Sequence, residues 1–141
     1  NKVCAAQKNA SLVSFSPSAT SLPGAAKLGI KLVKGADVHL GVFPGAGTDK
    51  QVGIADVITA ADGAPIAAGF MAWSQCFFPW TLDYDEIDLV LEGELHIRHN
   101  GQTHIAKSGD VLYIPKGSAI EFGTPKAVRF FYVTYPANWQ G

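Results

Sequence analysis

The acidic residues of this chain are concentrated in one short segment. Six of the twelve fall between positions 83 and 94, and no lysine or arginine occurs from position 51 to position 97. Side chains alternate between the two sides of a β-strand, so Tyr84, Glu86 and Asp88 would share one face. Carboxylates buried on such a face must hold a cation, share a proton or accept hydrogen bonds. We therefore predict that Glu86 and Asp88, with Tyr84 beside them, form the functional site.

Two spaced motifs surround these carboxyl groups. Glu86 is followed after six residues by Gly93, and Gly109 is followed after five residues by a Pro-Lys-Gly turn at 115–117. This spacing resembles the two signature motifs of the cupin superfamily, which also carry three histidines as metal ligands. The corresponding positions here hold apolar side chains, namely Trp80, Leu82 and Ile120.

The loss of the three histidines limits which metal the site can hold. A lone carboxylate cannot fix a transition metal, which needs several N, O or S donors, so no transition metal is expected. Mg²⁺ remains compatible with Glu86 and Asp88, because it needs only one or two carboxylates plus waters or substrate phosphates. His99 and His104 would lie diagonally on one face of a hairpin, but two imidazoles without a third donor make a poor metal site.

Short strand-like runs punctuated by Gly, Pro, Asn and Asp fill the chain from position 28 onward. The Asn100-Gly101 pair between two alternating runs predicts a tight hairpin, because both residues tolerate positive φ. No long helical period appears, which indicates an all-β domain. With the two motifs, we expect a cupin jelly-roll barrel (a double-stranded β-helix) at 28–141 and a short irregular N-terminal arm at 1–27. The predicted strands are 31–33, 38–43, 51–60, 67–75, 85–92, 94–99, 102–107, 110–114, 119–122 and 128–134.

Composition excludes several classes of function. A length of 141 residues suits one domain, and a net charge of -1 gives no nucleic-acid footprint. No apolar run reaches the ~18 residues that predict a membrane span. Cys76 precedes Phe77 and Phe78, and this apolar context predicts an inert buried thiol in a reduced, cytoplasmic protein.

Longer segments carry a more specific resemblance, and they are rich in Trp, Pro and Phe. They are residues 69–73 (GFMAW), 77–88 (FFPWTLDYDEID), 91–99 (LEGELHIRH), 114–118 (IPKGS), 120–125 (IEFGTP) and 135–140 (YPANWQ). From about position 29 to position 140 the chain resembles the C-terminal cupin domain of the EutQ family of ethanolamine-utilization proteins. The resemblance implies bacterial ethanolamine catabolism associated with a protein-shelled microcompartment. It also implies acetate kinase activity with ATP, a compact barrel that pairs as a homodimer, and a barrel site without the usual metal-binding histidines.

The implied reaction gives roles to particular residues. Acetate is already an anionic nucleophile, so its phosphorylation needs positioning and charge neutralisation rather than a general base. Glu86 and Asp88 would hold Mg²⁺ with ATP. The cations that would meet phosphate oxygens are Arg98, Lys116 and Arg129. The aromatic residues that would stack on adenine are Trp80, Trp73 and Tyr84.

Two other functions remain open from the sequence. The absence of the three metal-binding histidines and the segments rich in Trp and Phe also agree with a non-catalytic binding or assembly module. The partners of such a module would be microcompartment shell proteins. A metallo-cupin with displaced ligands, built on Glu86 and side chains distant in sequence, is the third hypothesis.

Overall fold

A computed structural model describes residues 29–47 and 49–139 of the chain. Within these ranges most residues lie in antiparallel β-strands and almost none in helices, which confirms the all-β prediction. The strands are β1 (Gly41–Val42), β2 (Gly53–Ile58), β3 (Ala67–Thr81), β4 (Asp85–His99), β5 (Gln102–Lys107), β6 (Val111–Ile114) and β7 (Ala119–Tyr135). Three single-turn 3-10 helices at Gly35–Asp37, Pro44–Ala46 and Ala60–Asp62 complete the described elements. No helix in the described ranges is long and apolar enough to cross a membrane. The arm predicted at 1–27 lies outside the described residues.

All strand pairs are antiparallel, and the long strand β7 lies at the centre of the sheet. The order is β1-β2-β3-β7-β4-β5, with β6 paired to β4. β3 pairs with β7 along almost its whole length, from Ala67 opposite Thr134 to Thr81 opposite Ala119. β4 pairs with the other edge of β7, from Asp85 opposite Tyr135 to Arg98 opposite Glu121.

Bulges bend the three long strands, so that the sheet folds over onto itself. The β3–β7 register shifts between Ser74 and Cys76, where Gln75 adopts a positive φ of 49°. The β4–β7 register shifts around Gly93, whose φ is 73°. A Cβ atom at Gly93 would lie 2.0 Å from the carbonyl oxygen of Ala127, so the close strand approach at this bend requires glycine.

The folded sheet encloses a core rich in aromatic residues. Trp73, from the first half of β3, packs against Phe78 from its second half, with ring centroids 5.3 Å apart. Trp73 also contacts Phe130 and Phe122, which come from the two halves of β7. Because residues on both sides of the bends meet in one cluster, the two halves of the sheet form the opposite walls of a barrel.

The structure confirms the predicted hairpin. His99 pairs with Gln102, and the two turn residues, Asn100 and Gly101, have φ angles of 49° and 77°. Ile97 lies opposite His104, as the predicted register requires.

Other local predictions were wrong. Two long strands had each been predicted as two short ones. The predicted strands 85–92 and 94–99 are both part of β4, and 119–122 and 128–134 are both part of β7. A bulge bends such a strand without ending it. Residues 31–33 form no strand, and Leu32 is 79% exposed there. Cys76 is buried as predicted, but it is disulfide-bonded rather than a free thiol.

Candidate functional site

β4 directs the predicted site residues into the barrel. Tyr84 lies just before the strand, and Glu86 and Asp88 follow in alternation, with exposed fractions of 2%, 5% and 0%. Ile87 points the other way and is 48% exposed. The prediction that the three residues share a buried face is therefore confirmed, and the outer face of this segment is partly open.

A narrow chamber adjoins Glu86 at the mouth of the barrel. Its volume is about 10 Å³, which is room for about one water molecule. Six of its ten lining residues are aromatic, and none is Lys, Arg or His. The lining consists of Phe43, Ile54, Met71, Trp80, Tyr84, Glu86, Phe122, Tyr132, Thr134 and Trp139.

Several buried polar atoms in and beside the chamber lack a hydrogen-bond partner within the described part of the chain. They are Glu86 Oε2, both carboxyl oxygens of Asp88, and Thr134 Oγ1, apart from the hydrogen bond that Glu86 and Asp88 make with each other when one of them is protonated. Burial raises the pKa of Glu86 from its ordinary 4.5 to about 7. Burial, with the charge of Glu86 as a second cause, raises the pKa of Asp88 well above its ordinary 3.8. Two full negative charges therefore do not coexist on this pair at neutral pH.

A third interior carboxylate, Asp56 on β2, connects the chamber to the end of the described chain. The Tyr132 hydroxyl and Trp139 Nε1 both donate hydrogen bonds to it, the latter over 3.1 Å. Burial raises the pKa of Asp56, and these two donors offset part of that effect. The Trp139 ring also packs against Phe43 and Trp80, with centroids 5.9 and 6.3 Å away. Trp139 thus forms one wall of the chamber.

Packing groups occupy the positions where cupins carry metal-binding histidines. Trp80 pairs with Ile120 between β3 and β7, and its Nε1 donates a 2.6 Å hydrogen bond to the Tyr84 hydroxyl. Leu82 and Ile120 are 1% and 6% exposed. The described residues contain no group of three or more His, Cys, Asp or Glu side chains that could hold a metal ion. The metallo-cupin hypothesis therefore finds no donor set there.

Comparison with known proteins identifies the chain's relatives. A family model described as ethanolamine utilisation protein EutQ matches residues 2–141. The chain belongs to the EutQ family. It is 56% identical to acetate kinase EutQ of Salmonella typhimurium, over 99% of this chain and 59% of the relative. It is 60% identical to acetate kinase EutQ of Escherichia coli, over 88% of this chain and 52% of the relative. The chain therefore spans a little over half the length of these curated relatives.

Solved structures place this EutQ family member in the cupin fold. Ethanolamine utilization protein Q of Salmonella typhimurium is 60% identical, with a TM-score of 0.75 over 77% of this chain and 88% of that chain. The Clostridium difficile EutQ protein is 40% identical, with a TM-score of 0.66 over 70% and 72% of the two chains. The Schizosaccharomyces pombe Cnp3 cupin domain is 19% identical, with a TM-score of 0.53 over 72% and 70%, and shows the fold alone. The predicted cupin barrel is thereby confirmed.

The three cations predicted to meet phosphate in this EutQ domain do not line the chamber. Arg98 is exposed, pairs with Glu121 over 2.7 Å and lies over the Phe77 ring. Arg129 lies between two buried residues on β7, so its side chain points to the opposite face of the strand. There its guanidinium lies over the Phe70 ring, 5.3 Å from the centroid. Lys116 is exposed in the turn between β6 and β7. Their role in binding substrate stays a prediction, and the structure does not bring them together with Glu86.

Other predicted residues are also separated from the chamber. Trp73 is fully buried and donates to the carbonyl oxygen of Cys76, so it has no free face for an adenine ring. His99 and His104 line a different cavity of about 200 Å³ together with Ile97, which confirms their shared face. Trp80 and Tyr84 are the predicted aromatic residues that do lie beside Glu86.

Sequence reasoning missed most of the chamber lining and the neighbouring Asp56, and among the polar and hydrogen-bonding groups only Asp56 left a signal. Asp56 is the one charged residue within the apolar run 52–58, which could have marked it as an interior carboxylate. Thr134, Tyr132 and Trp139 carry no such mark. They reach the chamber because β7 crosses the barrel beside β4, a pairing between positions distant in sequence.

Proposed function

We propose that this chain is the cupin domain of an acetate kinase of ethanolamine utilization, which moves phosphoryl between ATP and acetate. The observation that carries the proposal is 56–60% identity, over 88–99% of the chain, to two relatives named acetate kinase EutQ. The chain spans little more than half of each relative, so the reaction is a proposal for this chain and is not carried over from them. Its proposed location is the cytoplasm, in association with a microcompartment.

The interior carboxyl groups support a role for Mg²⁺ in that reaction. Glu86 Oε2 and the Asp88 oxygens are unpartnered within the described chain, and hard oxygen donors of this kind suit Mg²⁺. When bound, Mg²⁺ would neutralise charge on the transferred phosphoryl group. Trp80 and Tyr84 would supply aromatic faces beside it. The roles of Tyr84, Glu86 and Asp88 in catalysis are part of this proposal.

The size of the chamber sets a condition on this reaction. Room for about one water molecule admits neither a nucleotide nor a fully hydrated Mg²⁺. Trp139, near the end of the described chain, forms one wall of the chamber. We propose that displacement of its side chain would admit the nucleotide and the hydrated Mg²⁺.

Formation of acetyl phosphate, trapped as its hydroxamate, tests the function. With saturating Mg²⁺ and ATP, we expect turnover that depends on acetate and falls by about a hundredfold in Glu86→Gln, which keeps the shape and removes the charge. Glu92→Gln, an exposed carboxyl on the same strand, is the matched control and should keep its activity. Turnover no higher than the uncatalysed rate in the unaltered protein would remove the proposal for this chain.

A second candidate function is a non-catalytic binding module of the microcompartment system. The chamber lining favours it, because no Lys, Arg or His is present there to meet a phosphate group. This module would bind a small ligand at the chamber and shell proteins at its surface. Recovery of shell proteins with the tagged domain, without phosphoryl transfer, supports this function; recovery of none rules out the shell-protein contact.

A homodimer is proposed from the outer surface of the sheet. Ile87 on β4 lies opposite Tyr113 on β6, and the two are 48% and 63% exposed. Tyr135 on β7 lies opposite Asp85, two residues before Ile87, and is 58% exposed. Apolar groups exposed side by side favour contact with a second copy. Sedimentation of the purified protein should give twice the monomer mass, and Tyr113→Glu should return it to a monomer. A monomer at every concentration would contradict the dimer.

A further inference from the structure

Two buried acceptors in the chamber face each other across a strand pair. Glu86 on β4 lies opposite Thr134 on β7, and both side chains line the chamber. Glu86 Oε2 and Thr134 Oγ1 are unpartnered in the described chain, and the two residues are 5% and 1% exposed. Burial without a hydrogen bond is unfavourable for each group. The site therefore favours a ligand that donates hydrogen bonds to both.

The walls of the chamber favour a cation over a neutral donor. Trp80, Tyr84, Tyr132 and Trp139 line it, and aromatic rings attract cations through the negative potential of their faces. Glu86 contributes a carboxyl group, and no lining residue is basic. An anion such as acetate would find no basic group in this lining.

Size and charge restrict the cation further. Room for about one water molecule suits an ammonium group, which is of similar size, whereas Mg²⁺ retains several waters. Glu86 supplies the one carboxyl group of the lining, so a single positive charge matches the chamber better than a divalent one.

We infer that the chamber is a binding site for a small primary ammonium group, whose N–H bonds reach Glu86 Oε2 and Thr134 Oγ1 between the aromatic walls. This inference rests on the second candidate function, the binding module, and names the chemical class of its ligand. An alkyl substituent on the nitrogen would point toward the mouth, past Trp80 and Trp139. In the first candidate function Mg²⁺ would compete with the ammonium group for Glu86.

Titration calorimetry with methylammonium chloride at constant ionic strength tests the site. We expect saturable binding, and binding at least about tenfold weaker for potassium, which has the charge but no N–H, and for tetramethylammonium, which is too large. Equal affinity for potassium would overturn the assignment to an N–H donor. The absence of saturable binding would overturn the site, and the chamber would then hold water.

Two shape-conserving variants locate the binding. Glu86→Gln and Thr134→Val should each weaken methylammonium binding at least about tenfold, and Glu92→Gln should leave it unchanged. Circular dichroism checks that the variants fold. If a variant does not fold, the comparison of methylammonium with potassium and tetramethylammonium in the unaltered protein still tests the site. Unchanged affinity in both chamber variants would overturn the proposal. Shell-protein recovery without methylammonium binding would overturn this inference alone and leave the binding module standing.

Discussion

Trp139 Nε1 lies 3.1 Å from each carboxylate oxygen of Asp56 and donates a hydrogen bond to that group. This contact joins the end of the described chain to β2, across 83 positions of sequence. The hydrogen bond holds the Trp139 indole in the chamber lining beside Glu86. It is one of the two side-chain hydrogen bonds that the partly buried Asp56 carboxylate accepts, the other coming from Tyr132. One wall of the chamber is therefore formed by a single side chain, Trp139, near the end of the described residues.

Replacement of Trp139 should destabilise the protein by two separable effects. Trp139→Phe keeps most of the packing but removes a donor from a partly buried carboxylate, which should cost about 1–3 kcal/mol. Trp139→Ala also leaves a cavity, and about 3–5 kcal/mol is expected. Urea denaturation measures both. Tyr113→Phe, which removes an exposed hydroxyl that donates to Asp85, is the control and should change stability by less than about 0.5 kcal/mol. Equal effects of Trp139→Phe and the control would show that the bond to Asp56 is not stabilising.

Stability should fall as pH rises through the range set by Glu86. Its pKa is about 7 in the folded protein against an ordinary 4.5, so the folded state binds more protons between these values. The favourable contribution of the protonated form is complete below pH 4.5 and is lost as pH rises through 7. The loss should be about 3 kcal/mol.

Glu86→Gln supplies the control for this pH dependence. The amide cannot ionise, so the free energy of unfolding should vary less between pH 5 and pH 8, and the variant should be more stable than the unaltered protein at pH 8. Urea denaturation at each pH measures the effect. A variant that loses stability with pH as steeply as the unaltered protein would show that another group titrates.

Gly93 should tolerate alanine far less well than Gly101. Both have positive φ, 73° and 77°, so both substitutions carry the backbone cost of about 1 kcal/mol. Only at Gly93 would the new Cβ atom meet backbone, 2.0 Å from the Ala127 carbonyl oxygen; nothing lies within 4 Å at Gly101. We expect Gly93→Ala to lose about 3 kcal/mol or more by denaturation. A loss equal to that of Gly101→Ala would mean that the bend between β4 and β7 relaxes freely.

Neutralising the outer cations should leave phosphoryl transfer nearly unchanged if the chamber is the site. Arg98 and Arg129 stack on rings away from the chamber, and Lys116 lies in an exposed turn. Substitution of each by Gln should change kcat/KM by less than about twofold, whereas Glu86→Gln should lower it by about a hundredfold. A large effect of Arg129→Gln without an effect of Glu86→Gln would place the reaction on the outer face of the sheet.

The sequence by itself determined the fold class, the main strands and the direction of the central carboxyl groups. These properties depend on local rules: alternation on β4 places Glu86 and Asp88 together, and Asn100-Gly101 specifies a tight turn. The spacing of Glu86 and Gly93 also anticipated a glycine that the bend requires. Signals of this kind lie within a few residues of one another.

Only the tertiary structure decided what surrounds those carboxyl groups. Thr134 and Trp139 meet Glu86 because bulges fold the sheet over and bring the end of β7 and the residues after it to the barrel mouth. Arg98 and Arg129 lie over Phe77 and Phe70, whose rings are not part of the chamber lining. Contacts between distant positions arise from the closure of the barrel, which no local pattern of residues specifies. Glu86 was therefore foreseeable as an interior carboxyl group, whereas its aromatic, cation-poor chamber was not.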